Sequence, residues 1–238
     1  MLELAQRAAD GYYYTYSNFL TLAEQDTLQS LKLPTAATLV GGFEGAERCI
    51  AVFGDEAELG YPPEPPLVFV KITPLSEKYA EELSHRDYLG SILGLGLERE
   101  VTGDILRDGH TAYLACLSSI AEVIANDLTK VRHTDVSCTV IPDAPEVALP
   151  RPEATTIFAA SERADAVCAA VFGLSRSESA ELFSRRLVFS NARLIEHPDA
   201  HLDIGARISV RGYGKFIYFG ISKTTRRGRL CLEIAKYK

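Results

Sequence analysis

The segment from Arg163 to Val210 places two short helices and a basic β-hairpin next to one another with almost no linker. Gly173 predicts the end of the first helix, since glycine adopts a positive φ without a Cβ penalty. Ser175 predicts the start of the second helix, and Glu178 completes an S-x-x-E capping box. So short a turn leaves the two helices little freedom in how they pack. The segment therefore predicts a compact helix–turn–helix unit followed by strands.

The same region is basic although the whole chain is acidic, with 25 Lys and Arg against 32 Asp and Glu and a net charge of −7. Residues 151–238 hold 15 basic and 9 acidic residues, a net charge of +6, whereas residues 1–150 have a net charge of −13. A basic module on an acidic body is the charge pattern expected of a directed RNA-binding surface. A chance asymmetry of solvated charges would give the same counts, and the helix pair is what favours RNA binding.

Two sets of motifs carry a resemblance to known families. In the basic region they are Arg163-Ala164-Asp165, Gly173-Leu174-Ser175-Arg176-Ser177, Val188-Phe189-Ser190-Asn191 and Gly205-Ala206-Arg207-Ile208-Ser209-Val210. Residues from about 161 to 218 resemble the S-four-like RNA-binding domain (αL motif) of a small-subunit ribosomal protein, pseudouridine synthases and tyrosyl-tRNA synthetases. The chain departs from that pattern, which has Leu, Gly, a β-branched residue and Asp where it has Ala164, Arg186, Ser190 and Ala206.

A second set of motifs lies upstream: Gly41-Gly42, Ala46-Glu47-Arg48, His85-Arg86-Asp87-Tyr88-Leu89-Gly90, Leu93-Gly94-Leu95-Gly96, Gly103-Asp104-Ile105 and Leu128-Thr129-Lys130-Val131. With these the chain resembles the YlmH family, also called RqcP, of bacterial and plastid proteins. The resemblance implies partners: rRNA and tRNA on the large ribosomal subunit, and an RqcH-type protein. It implies a role in ribosome-associated quality control, in which peptidyl-tRNA is held during C-terminal alanine tailing of stalled chains.

The predicted RNA contacts are cationic and polar side chains of the basic region: Arg163, Ser175, Arg176, Ser177, Arg185, Arg186, Asn191, Arg207, Arg211 and Lys215. Backbone N–H groups at the start of the second helix favour phosphate, and the adjacent Arg176 can fork onto phosphate oxygens. Ser175 would be fully occupied if it serves only as a cap. The last three residues of the set could equally be solvated charges at strand edges. Such a surface reads RNA shape and backbone.

The His85-Arg86-Asp87 triplet has two interpretations. The resemblance implies a second contact, to RNA or a partner, made by His85, Arg86 and Lys130. The structural alternative is a helix-surface ion pair or an anchor between the helix and the sheet. Catalysis is remote, because adjacent residues on a helix point in different directions.

No P-loop, G-x-S-x-G or H-E-x-x-H motif is present, and Gly94-x-Gly96 lacks the third glycine of a dinucleotide loop. Asp165 lies inside the αL motif, where an acid in the first helical turn suits the helix dipole. We therefore expect an RNA-binding protein that is not an enzyme and needs no cofactor. The alternatives are an RNA-modifying, pseudouridine synthase-like enzyme and an interaction module linked to cell division or photosystem biogenesis.

The pattern of elements predicts an α+β fold in three parts: an N-terminal α/β subdomain (1–66), a central RRM- or ferredoxin-like domain (67–145) and the RNA-binding domain (153–238). In the first part, residues 1–33 read as helical with a capping box at Thr21 and Glu24, and 49–53 as a strand. Tyr12, Tyr13 and Tyr14 are expected to pack on their own domain rather than stack on bases.

The central part reads as a βαββαβ series. Strands are predicted at 67–72, 100–106, 111–116 and 131–141, and helices at 76–93 and 120–128. Residues 142–152 are a proline-rich linker. The chain closes with strands at 215–221 and 229–234, joined by a basic turn at 223–228.

The five cysteines stand at 49, 116, 138, 168 and 231, without a C-x-x-C motif. We expect buried free thiols rather than disulfides or a metal site. No apolar run approaches the ~20 residues of a membrane span, and the N-terminus lacks a signal pattern. These features predict a cytoplasmic protein.

Overall fold

The computed structural model describes residues 1–147, 153–225 and 228–237. It has an α+β fold, which confirms the predicted fold class. The chain divides into two compact units, Met1–Leu149 and Pro150–Lys238. The first unit contains both the N-terminal segment and the central sheet, and the three-part division into 1–66, 67–145 and 153–238 stays a prediction. Among the described helices, none is long and apolar enough to cross a membrane.

The N-terminal segment is a three-stranded antiparallel sheet with helices. Its elements are α1 (Leu2–Gly11), β1 (Thr15–Leu20), α2 (Leu22–Ser30), β2 (Ala37–Val40), β3 (Cys49–Phe53) and α3 (Glu56–Leu59), with the strand order β1-β3-β2. The capping box is confirmed, since the Glu24 carboxylate accepts from the Thr21 backbone N–H at 2.7 Å. The prediction that residues 1–33 are all helical is wrong for Thr15–Leu20. These residues pair instead with β3, whose five residues are all buried, and this tertiary pairing overrides local preference.

The tyrosine cluster divides into buried and exposed members. Tyr14 packs inside the unit, where its hydroxyl donates to the Tyr61 carbonyl at 2.9 Å and the two rings meet edge to face. Tyr12 and Tyr13 are exposed, with 76% and 42% of their surface accessible. The prediction that the cluster packs on its own domain is therefore confirmed for Tyr14; the Tyr13 ring lies against Gly11 but stays partly exposed, and Tyr12 is largely exposed.

The central part is a five-stranded antiparallel sheet with two helices on one face. Its elements are β4 (Leu67–Pro74), α4 (His85–Leu93), β5 (Thr102–Asp108), β6 (Thr111–Leu117), α5 (Ser118–Asp127), β7 (Lys130–Val131) and β8 (Thr134–Ile141), with the strand order β5-β6-β4-β8-β7. Without the short β7, the second, third, first and fourth strands lie side by side. This is the ferredoxin-like arrangement that the βαββαβ series predicts.

The helix predicted over 76–93 is shorter than expected. Only Glu77–Tyr79 forms a single 3₁₀ turn, and α4 begins at His85. The carboxylate of Asp87 accepts from the backbone N–H and the hydroxyl of Ser84, both at 2.7 Å, and so starts the helix anew. The last predicted strand is likewise split into β7 and β8, because Arg132 between them adopts a positive φ of 53°.

The second unit is a six-stranded sheet with the helix pair. Its elements are β9 (Glu153–Ala159), α6 (Ala164–Phe172), α7 (Arg176–Ser184), β10 (Val188–Ser190), β11 (Arg193–Leu194), β12 (Arg207–Val210), β13 (Gly214–Thr224) and β14 (Leu230–Lys236), in the order β11-β10-β12-β13-β14-β9. Gly173 ends α6 at a φ of 68°, and Ser175 and Glu178 form the predicted capping box. The tip residues Arg226 and Arg227, and linker residues 148–152, lie outside the described residues.

All five cysteines are free thiols, as predicted; four are buried and Cys138 is half-buried. Burial raises the pKa of Cys116 and Cys168 to about 12 and that of Cys138 to about 11. Within the described residues, no group of three or more His, Cys, Asp and Glu side chains is arranged to hold a metal ion.

Candidate nucleic-acid interface

Arg163 is engaged with Asp165 at the start of α6. Its Nε and Nη2 donate to the two carboxylate oxygens of Asp165 at 3.0 and 2.9 Å. Asp165 is only 3% exposed, and its hydrogen bonds to Arg163 hold the pKa of that carboxyl below its usual range. The structure thus gives the guanidinium fork of Arg163, predicted as an RNA contact, a buried structural partner.

The start of α7 leaves one cation facing solvent. The hydroxyl of Ser175 accepts from the Glu178 N–H at 3.2 Å and lies 3.1 Å from the hydroxyl of Ser177. Ser175 is thus occupied as a cap, the alternative that the sequence left open. Arg176, the first residue of α7, is exposed. The start of α7 therefore offers an exposed cation next to a backbone that is already capped.

Arg185 and Arg186 follow at the other end of α7. Arg185 lies 3.6 Å from Glu181, and Arg186 lies 3.1 Å from Glu196. Both guanidinium groups are largely exposed, and exposed ion pairs contribute little free energy. A phosphate could therefore replace either carboxylate at low cost.

Asn191 has a structural role in the β10–β11 turn. Asn191 and Ala192 both have positive φ, 47° and 64°, which is the geometry of a two-residue type I′ hairpin. The side-chain oxygen of Asn191 also accepts from the Arg207 backbone N–H at 2.9 Å. The amide oxygen of Asn191, a residue predicted to contact RNA, therefore holds the turn against β12.

The remaining predicted contacts lie on the β-strands and the turn beside the hairpin. The guanidinium of Arg211 stacks 4.6 Å above the ring of Phe189 and stays exposed. Arg207 on β12 is half-buried, and Lys215 on β13 is exposed. Of the ten predicted contacts, Arg176, Arg185, Arg186, Arg211 and Lys215 thus offer exposed cations, while Arg163, Ser175 and Asn191 hold the unit together.

The predicted second contact lies at the start of α4 and on β7. His85 and Arg86 are exposed, and Lys130 pairs with Asp135 at 3.3 Å. Asp87 faces Arg132 at 3.5 Å, and its hydrogen bonds to Ser84 lower its pKa. Asp87 thus joins α4 to the turn between β7 and β8, which is the helix–sheet anchor of the structural alternative, while His85 and Arg86 are exposed.

Two further family motifs meet where the N-terminal segment packs on the central sheet. The Asp104 carboxylate accepts from the backbone N–H groups of Glu47 and Arg48. In return the Arg48 guanidinium donates to the carbonyls of Thr102 and Phe19, at 3.0 and 2.8 Å. Burial lowers the pKa of Arg48. The Ala46-Glu47-Arg48 and Gly103-Asp104-Ile105 motifs therefore form a clamp between the two parts of the first unit.

Sequence reasoning missed one surface, the face of the central sheet opposite α4 and α5. There Lys71 of β4 lies in register between Tyr113 of β6 and Thr139 of β8. One step further along the strands, Thr73 pairs with Ser137. The alternation of side chains in the predicted strands could have placed these residues on one face, but only the strand order shows that they are neighbours.

Comparisons with known proteins find similarity to a family model, to a bacterial protein and to a solved structure. Residues 67–144 match the family model described as "Putative RNA-binding domain in YlmH". Over its whole length the chain is 27% identical to the "Ribosome-associated protein quality control protein P2" of Bacillus subtilis (strain 168), and covers 93% of that protein. A solved structure, "Cell division protein ylmH from Streptococcus pneumoniae", aligns with 59% of this chain and 86% of its own at 24% identity and a TM-score of 0.47. The predicted resemblance to the YlmH family is confirmed, whereas the resemblance of residues 161–218 to the S-four-like domain stays a prediction.

Proposed function

Because the chain is similar to YlmH proteins, we propose that it binds rRNA and tRNA on the large ribosomal subunit during ribosome-associated quality control. In this role it acts in the cytoplasm, beside an RqcH-type protein, while stalled chains receive C-terminal alanine tails. The name of the Bacillus subtilis relative supports the pathway, and the family model over residues 67–144 supports RNA as the ligand.

The observation that carries the proposal is the set of exposed arginines on the helix pair. Arg176 begins α7, and Arg185 and Arg186 follow its end, so one rigid nine-residue helix spaces three guanidinium groups. A helix of that length extends about 13 Å, which suits contacts to several phosphates of a folded RNA. Guanidinium forks bind phosphate with two parallel hydrogen bonds.

We infer that the protein acts without a catalytic step. The acid of the αL motif, Asp165, is buried with both oxygens engaged by Arg163. A carboxylate fixed in this way is not available as a nucleophile for base modification. The RNA-modifying alternative therefore gains no nucleophile from Asp165.

Co-sedimentation with large ribosomal subunits that carry peptidyl-tRNA tests the proposal. The triple variant R176A/R185A/R186A should pellet at least about tenfold less well than the parent, because each lost phosphate contact weakens binding. The matched control R7A/K32A/K78A removes three exposed cations from the acidic unit and should pellet like the parent. If both triple variants pelleted equally well, the helix pair would not be the ribosomal contact and the interaction-module alternative would be favoured.

A further inference from the structure

We propose that the open face of the central sheet is a second site, which binds unpaired RNA nucleotides through the ring of Tyr113 and the ammonium group of Lys71. The site deepens the proposed RNA-binding function and lies in the acidic unit, where charge alone predicts no RNA contact. This surface is called the open sheet face below and consists of Lys71, Thr73, Tyr113, Ser137 and Thr139.

The register of the strands places these five side chains in two adjacent rows. In the first row, Tyr113, Lys71 and Thr139 are direct neighbours across β6, β4 and β8. In the second, Thr73 stands beside Ser137. The β-carbons of directly opposed residues on one face of a sheet are about 5 Å apart. A base lying on the Tyr113 ring would therefore keep its phosphate within reach of Lys71.

The N-terminal segment covers the next row and so defines where the site ends. Phe69 pairs with Ala115 and Ile141 in that row and is only 1% exposed. It is buried with Phe19 and Ile50 in one hydrophobic cluster. A β-carbon on Gly103 would come within 2.6 Å of the Phe19 ring, which shows how closely the segment approaches the sheet. The row at Phe69 is thus covered, and the proposed site comprises the two rows that follow, in which Ser137 and Thr139 are exposed and Lys71, Thr73 and Tyr113 are half-buried.

The charges of the domain favour this face over the others. Residues 67–144 carry 7 Lys and Arg against 12 Asp and Glu, so most of the domain repels phosphate. The helix side exposes Glu82, Glu122 and Asp127. On the open sheet face, Lys71 and Tyr113 stand beside three hydroxyls, and the acids on the same face are Asp108 at the end of β5 and Asp135 on β8. Lys130 pairs with Asp135 at 3.3 Å and offsets its charge, so Lys71 remains to attract phosphate.

The chemistry of the face selects single-stranded RNA. An aromatic ring set in a sheet stacks on an unpaired base, whereas the bases of a duplex are already stacked on each other. Threonine and serine hydroxyls can bond the edges of the same base or the 2′-OH. The family model that names this segment as RNA-binding covers every one of these residues.

The test uses the full chain and a ten-nucleotide RNA that cannot pair with itself, with binding followed by fluorescence anisotropy. The double variant K71Q/Y113L should bind about tenfold more weakly, since one stacked base contributes on this order and leucine keeps most of the buried volume. Tyr113→Phe keeps the ring and should bind within about twofold of the parent. The matched control K78Q/Y79L removes another lysine and an aromatic ring that is 75% exposed, from the same domain.

Two outcomes would overturn the site: unchanged binding by K71Q/Y113L, or an equal loss in K78Q/Y79L. If K71Q/Y113L does not fold, cross-linking of the parent to 4-thiouridine RNA decides. Cross-links must then fall on residues 106–113 rather than 75–81. The two proposals fail separately. If the ribosomal function is wrong, K71Q/Y113L still weakens binding to single-stranded RNA. If this site is wrong, R176A/R185A/R186A still weakens co-sedimentation with large subunits, while K71Q/Y113L binds single-stranded RNA like the parent.

Discussion

At the scale of single residues, cations in the predicted RNA-binding module serve two purposes. Arg163 fastens the start of α6 through Asp165, whereas Arg176 faces solvent. The sequence placed both in one motif, and nothing in their spacing separates them. The difference depends on which arginine has a buried acid within reach, and only the packing of α6 determines that.

Asp165→Asn should lower the free energy of unfolding by on the order of 2 kcal/mol at pH 7, because it leaves a half-buried guanidinium short of its partner. The pKa of Asp165 is lowered in the folded state, so its contribution is present above about pH 4 and is lost as the pH falls through the folded pKa. Urea unfolding at pH 7 and pH 3 measures both effects. Glu181→Gln, which loses only an exposed ion pair, should change stability by less than about 0.5 kcal/mol.

Tyr218 gives the opposite dependence on pH. Its buried hydroxyl donates to the Glu162 carboxylate at 2.9 Å, and burial raises the pKa of Tyr218 to about 12. An unfolded tyrosine ionises near pH ~10, so the folded state keeps a proton that the unfolded state has lost. The stability from this group is complete below about pH 10 and disappears as the pH rises through about 12. Tyr218→Phe should flatten the fall in stability measured by denaturation between pH 9 and pH 11; parallel curves for the two proteins would contradict this.

At the scale of elements, local signals predicted helix ends well and strand partners poorly. The capping boxes at Thr21 and Ser175 need only residues three apart, and both are present. The start of α4 was missed although its Ser84–Asp87 capping box is a local signal, whereas strand β1 was missed because long-range pairing with β3 decides it. The open sheet face was missed for the same reason, since Lys71 and Tyr113 become neighbours only after β4 and β6 pair.

The turn after α7 stores strain that can be separated from charge. Arg186 has a φ of 55°, a conformation that costs a residue with a β-carbon roughly 1 kcal/mol. Arg186→Gly should therefore raise the melting temperature, whereas Arg186→Ala should leave it near that of the parent. Both should weaken RNA binding to the same degree, because both remove the guanidinium. A lower melting temperature for the glycine variant would mean that the ion pair with Glu196 outweighs the strain.

At the scale of the whole molecule, the distribution of charge between the two halves of the chain points to one candidate RNA surface but not to the other. The +6 balance of residues 151–238 predicted the arginine surface. The segment that matches the RNA-binding family model is instead acidic, and its proposed site depends on stacking. A count of charges indicates where phosphate can bind, but it does not indicate an aromatic ring on which a base can stack.

The two surfaces should respond differently to salt in the intact protein. Affinity for an RNA hairpin should fall steeply as salt rises, and R176A/R185A/R186A should reduce the slope of log K against log salt by roughly 2 to 3. For the single-stranded RNA, Lys71→Gln should reduce the slope of log K against log salt by less than about 1, since only one cation is removed. Titrations at four salt concentrations measure both slopes. If a variant reduced this slope equally for the hairpin and for the single strand, one surface would bind both RNAs.

The N-terminal segment also decides which fragments of this chain can exist in solution. Cutting at the limits of the family model, residues 67–144, would uncover Phe69 and Ala115, which now lie against Phe19 and Ile50, and would remove the Arg48 clamp from Asp104. Such a fragment would expose a continuous hydrophobic patch on one face of its sheet, and we expect it to aggregate on expression. Residues 1–147 should instead purify as a monomer by size-exclusion chromatography. We therefore expect the smallest stable fragment that contains residues 67–144 to include the N-terminal segment, which lies outside the match to the family model.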